Sequence, residues 1–169
     1  MTIGAVVLMA LDRGSLKGGA FSLSLFIDLP GEEVVMQSID KDVRVAEWSR
    51  VEVFYSDTCS GNVAELSVLK RLTDNEGLGA HFVICNGVGG KEGEIQPTQQ
   101  WVGQEPAVAG HESTIRICLV GNGVENGLKV GPSETQINRA NNLASFFCRQ
   151  FKISSRTAGN VQYPANWQF

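Results

Sequence analysis

The chain has 169 residues, 43% apolar and 19% charged, which is the length and composition of one ordinary globular domain with room for a core. Its net charge of −4 gives no basic footprint, which argues against nucleic acid as a partner and against attraction to anionic lipid. No internal repeat or low-complexity tract occurs.

The apolar run Ile3 to Leu11 stops at Asp12-Arg13, far short of a membrane span. It lacks the basic leader and small-residue cleavage site of an export signal, so it reads as a core strand and leaves the compartment unassigned. Phe21 to Ile27 alternates as a half-buried strand and ends at Pro30-Gly31. Glu33-Val34-Val35-Met36 is placed to pair with it as a hairpin. Residues 1–45 are therefore expected to be an N-terminal extension of extra strands, packed on a domain spanning 46–169.

From Trp48 the pattern becomes mixed α/β. Val51 to Tyr55 reads as a strand, and Ser60-Gly61-Asn62 offers a cap for a helix from Val63 to Thr73, with Leu66, Leu69 and Leu72 as its apolar repeat. His81 to Cys85 is a second strand, closed by Asn86-Gly87 and Gly89-Gly90. Thr114 to Val120 is apolar on both faces, as a central strand must be. Ser133 and Gln136 form a capping box for a last helix, whose stripe is Ile137, Ala140, Leu143, Ala144, Phe147, Cys148 and Phe151. The fold class expected is α/β, a mixed central sheet flanked by helices.

Cys59, Cys85, Cys118 and Cys148 show no C-x-x-C spacing. The last three lie in apolar stretches and read as buried free thiols, although a Cys85–Cys118 pairing is open if their strands are neighbours. His81 leads an apolar run and reads as a core histidine, and His111 beside Glu112 as loop polarity.

Several segments, in order, resemble the N-acetylmuramoyl-L-alanine amidase and peptidoglycan-recognition family. These are Ser56-Asp57-Thr58 before Ser60-Gly61-Asn62, Gly79-Ala80-His81-Phe82-Val83-Ile84, Ile117-Cys118-Leu119-Val120-Gly121, Pro132-Ser133 with Gln136, and Tyr163-Pro164. The resemblance covers Trp48 to Phe169. It implies an amidase-like fold with a cleft for muramyl peptide, and in working members a zinc held by two histidines and a cysteine. Here those places read Phe54, Ser155 and Tyr163. Ala80 stands for the tyrosine that donates to the oxyanion, and Val161 for the polar residue ahead of the cysteine. A phenyl ring and a methyl group offer neither a lone pair to a metal nor a proton to an oxyanion.

The expectation is therefore a domain with no catalytic residue, no metal ligand and no cofactor, despite the family's zinc. Its cleft candidates, carried over from the family's contacts, are Phe54, Tyr55, Ala80, Asn86, Trp101, Val108, Arg116 and Tyr163. Three functions stay open: recognition of peptidoglycan fragments by an inactive domain, a divergent amidase that cleaves the lactyl amide, and a protein-interaction domain using the former cleft. The apolar floor suits ring stacking, or simply fills the space a metal would leave.

Overall fold

The computed structural model describes residues 35–73, 77–154 and 160–165. The expected strands at Ile3–Leu11 and Phe21–Ile27, and the positions Glu33, Val34 and Ser155, lie outside the described residues.

Short apolar runs rich in β-branched residues produce the strands that matter most. β1 (Arg50–Tyr55), β2 (Phe82–Ile84) and β4 (Thr114–Leu119) appear where the patterns place them, and β3 is Ile95–Pro97. β5 (Val124–Glu125) and β6 (Leu128–Lys129) form a separate hairpin, and β7 is Val161–Gln162. The main sheet runs β3-β2-β4-β1-β7; β4 is parallel to β1 and β2, β7 is parallel to β1, and only β3 is antiparallel. The class is α/β with a mixed central sheet.

Helices cover both faces. α1 (Val63–Thr73) follows β1, α2 is the single turn Gln99–Val102, and α3 (Glu134–Gln150) follows β4. Against one face α3 buries Ala140, Leu143, Ala144, Phe146 and Phe147, with Val51, Val53, Phe82, Ile84, Ile115, Ile117, Leu119 and Trp101. Against the other, Val63 and Leu66 of α1 pack on Val83, Cys85, Cys118 and Val120. Strand alternation sets this division: odd positions of β1 and β4 face α3, even ones face α1.

One expectation needs correction. Val35 and Met36 belong to a helical segment, 35–37, not to a strand. Val35 is 1% exposed and joins the main core, where its carbonyl accepts the Trp101 indole N–H at 2.9 Å. In α1 only Leu66 of the three leucines faces inward, while Leu69 and Leu72 are 43% and 79% exposed. A three-residue spacing loses about 60° per step on a helix of 3.6 residues per turn, so the repeat walks off the buried face.

The N-terminus of α1 is capped by Asn62, whose Oδ1 accepts the Glu65 amide at 3.0 Å, and not by Ser60. The Val63 amide donates instead to Gln96 Oε1 at 3.0 Å, which ties α1 to the strand region beyond β2. α3 has the expected capping box, with Ser133 and Gln136 each accepting the other's amide. The Gln136 amide nitrogen also donates to the carbonyls of Ile84 and Val120, both at 2.9 Å, pinning α3 to the ends of β2 and β4.

Candidate functional site

The connections leaving β1 and β4 pass over opposite faces of the sheet, so the carboxyl ends of this neighbouring pair form the switch point at which open α/β sheets hold ligands. Here that crevice is knitted shut by its own loops. Ser56 Oγ accepts the Gly121 amide at 3.2 Å and shares a 2.7 Å hydrogen bond with the Thr58 hydroxyl. Asn122 donates to Asp57 at 2.6 Å, and both residues have positive φ, 67° and 58°. Gly123 lies so close to the Thr58–Cys59 peptide that any Cβ would collide with backbone.

The chemistry gathers instead on the α1 face, toward the other end of the strands. Glu52 and Arg116 are register partners on β1 and β4. Arg116 grips the Glu52 carboxylate in a fork, Nε to Oε2 at 2.8 Å and Nη2 to Oε1 at 3.3 Å. Its Nη1 donates to the Gly79 carbonyl at 2.6 Å. The guanidinium carbon stands 4.3 Å from the centre of the Phe54 ring, a cation–π contact. Gly79 has φ +67°, and a Cβ there would come within 3.1 Å of Val108 and 3.2 Å of Arg116, so both side chains close over its bare backbone. His111, 49% exposed, brings Nδ1 within 3.9 Å of Glu52.

His81 lies beneath this cluster and is 0% exposed. Its Nδ1 accepts the Arg116 backbone amide at 3.0 Å, so Nε2 carries the proton and donates to the Glu105 carbonyl, also at 3.0 Å. Burial is the main cause that lowers its pKa to about 4; the Glu105 bond opposes this and the Arg116 charge adds to it. His81 is thus a neutral, fully bonded core imidazole.

Of the eight cleft candidates, the structure brings Phe54, Val108 and Arg116 together. Ala80 lies beneath them with no exposed surface, its carbonyl accepting the Thr98 hydroxyl at 2.7 Å. Trp101 is fully buried among Trp48, His81, Phe82 and Phe147 and lines no open surface. Asn86 lies two residues past β2 and donates to the Cys59 carbonyl at 2.8 Å, which makes it a loop tie. Tyr55 and Tyr163 pack on the main core under α3, on the opposite side of the sheet from Phe54. Burial and then nearby Cys148 raise the Tyr163 phenol above its ordinary pKa.

Sequence reasoning missed Glu52 as a member of this cluster. The signal was available: Glu52 and Arg116 each interrupt an apolar strand, and a charge half-buried in a sheet needs a partner. All four cysteines are free thiols. Burial, helped by Glu94 and Glu65, pushes Cys85 up to about 12, and burial pushes Cys118 to about 12, so neither is a thiolate at neutral pH.

Of the places the resemblance assigns to zinc, the two among the described residues, Phe54 and Tyr163, do not fit the ion. Phe54 has no lone pair and already carries a guanidinium on its ring, and Tyr163 lies across the sheet from it. Among the described residues, no three His, Cys, Asp or Glu side chains converge as metal ligands would. Nor is any helix there long and apolar enough to cross a membrane.

No family model and no curated protein matches the chain. Among solved structures it is similar to the endolysin N-acetylmuramoyl-L-alanine amidase LysCS from Clostridium intestinale, with 14% identity over 74% of this chain and 78% of that one and a TM-score of 0.43. It is also similar to the Drosophila peptidoglycan recognition protein PGRP-SA, with 16% identity over 72% and 69% and a TM-score of 0.40.

Proposed function

We propose that this chain is a metal-independent recognition domain for muramyl peptides, built on an amidase-like fold and using the surface around Phe54, Arg116 and Val108. The ordered sequence segments shared with the amidase and peptidoglycan-recognition family support the fold reading. The observation that carries the function is the Arg116 guanidinium lying on Phe54, where the resemblance would place a metal ligand. A cation there repels a metal ion. It also offers what a stem peptide can use, a half-buried positive group with unspent N–H bonds beside an aromatic edge and a valine. Carboxylates of the stem would meet the outer edge of the guanidinium, and its methyl groups would meet Phe54 and Val108.

The test is a titration of a soluble disaccharide-peptide into isotope-labelled protein, with chelator present throughout. Amide resonances of Phe54, Val108 and Arg116 are expected to move saturably below millimolar ligand, and Arg116→Lys to weaken binding, because a point charge cannot reproduce the planar fork. No movement up to millimolar muropeptide would remove the recognition reading. Zinc-dependent release of peptide from the sugar would replace it with a divergent amidase.

A further inference from the structure

The chain contains three Asn-Gly pairs, Asn86-Gly87, Asn122-Gly123 and Asn126-Gly127. In such a pair the glycine nitrogen has no Cβ beside it, so it can come close to the asparagine side chain and close a five-membered imide. In a folded protein this needs a carboxamide free to turn and a nitrogen free of a hydrogen bond. It also needs a backbone that can open locally.

Two of the pairs are held. The Asn86 carboxamide is fixed at both ends, its nitrogen donating to the Cys59 carbonyl at 2.8 Å and its oxygen accepting the Val88 amide at 3.3 Å. Asn122 donates to Asp57 at 2.6 Å, and the Gly123 nitrogen itself donates to the Thr58 carbonyl at 3.3 Å. Gly123 is also buried, with the Thr58–Cys59 peptide against it. The third pair is loose. Asn126 and Gly127 are both exposed, and neither the Asn126 carboxamide nor the Gly127 amide makes a hydrogen bond among the described residues. Beyond its chain neighbours, no atom lies within 4 Å of the point where a Gly127 Cβ would stand. The strands that the turn joins, β5 and β6, have two residues each, all exposed, so opening this hairpin uncovers no core.

We propose that Asn126 is a self-modification site of this chain. The Gly127 nitrogen attacks the Asn126 side-chain carbonyl carbon and gives its proton to the departing amide nitrogen, which leaves as ammonia. Water then opens the resulting succinimide to isoaspartate or aspartate. Isoaspartate carries the main chain through the side-chain carbon and lengthens it at the tightest point of the hairpin, where Glu125 pairs with Leu128. Either product adds a negative charge to a chain already at −4. The change stops at the base of the hairpin, where the Asn122 and Val130 amides donate to the Val130 and Gly123 carbonyls at 2.6 and 2.9 Å.

The whole chain, folded and in guanidinium chloride, is incubated at mildly alkaline pH until the denatured sample has reacted, then digested with trypsin. Fragment-ion mass spectrometry of peptide 117–129 separates Asn122 from Asn126, and peptide 72–91 reports Asn86. In the folded chain, conversion of amide to acid is expected at least about tenfold faster at Asn126 than at the other two, the factor set by the hydrogen bonds that those must first break. In guanidinium chloride the three rates should converge, because only the fold distinguishes the pairs. Asn126→Gln should abolish the fast site, since a six-membered ring closes far more slowly, and a circular dichroism melt checks that the variant folds. Asn86 or Asn122 reacting as fast as Asn126 in the folded chain overturns the proposal. So does an Asn126 that stays intact while the denatured chain reacts. Rates that keep the same order and spread in denaturant overturn it too, for then neighbouring sequence and not the fold would set them.

Discussion

Arg116 is the one charge in β4, and four groups hold it: two oxygens of Glu52, the Gly79 carbonyl and the Phe54 ring. The two side chains are only 16% and 22% exposed, so losing one partner strands a poorly solvated charge. Arg116→Ala should therefore lower stability by about 1–3 kcal/mol, read as a shift of the urea midpoint, and added salt should hide little of the loss. His81 gives a second expectation. Its folded pKa, about 4, lies below the ordinary 6.5, so between these values the unfolded chain binds a proton that the folded chain refuses. Stability must then fall as pH drops from 6.5 toward 4, by about 3 kcal/mol in all, and level off below. His81→Gln should remove that part of the pH dependence; an unchanged slope would assign it to other groups.

The long, capped and strongly periodic elements were legible in the sequence because each carries redundant signals. α3 shows this best, since its capping box marks the start and its stripe marks the buried face. Ser133→Ala should cost about 1 kcal/mol, and Phe147→Ala about 3–5 kcal/mol because the ring is wholly buried. Thermal or urea denaturation of the two variants checks that order. β3, β5, β6, β7 and α2 were not legible, for strands of two or three residues and a single helical turn are too short to display a period. The β5–β6 turn did leave a trace, Asn126-Gly127, both with the positive φ of a tight hairpin. Val35 and Met36 were misread because a short apolar run has no period to separate helix from strand. At α1 the leucines recur every three residues, a spacing that carries Leu69 and Leu72 off the buried face.

At the scale of the whole molecule, the sequence reading and the structure differ over where Phe54 and Tyr163 stand. The reading set Phe54 and Tyr163 at one centre because the resemblance does so. The sheet separates them: Phe54 is an even position of β1 facing α1, whereas Tyr163 follows β7 and packs under α3. Register and alternation decide this, and neither can be read from a motif whose parts lie far apart in the chain. The consequence is testable by restoring the missing ligand types. In the triple variant Phe54→His, Ser155→His, Tyr163→Cys, an imidazole at 54 and a thiolate at 163 would project from opposite faces. Zinc–ligand bonds are only about 2.0–2.3 Å long, so no ion can span the sheet to reach both. The Arg116 charge next to position 54 opposes a cation there in any case. Equilibrium dialysis with zinc should therefore find far less than one ion bound per variant chain, and cobalt should give no thiolate charge-transfer band. One tightly held zinc per chain, with that band in the cobalt form, would show that the two positions share a face. It would also return the divergent amidase to consideration, because a site recovered by three substitutions is one the fold still keeps in shape.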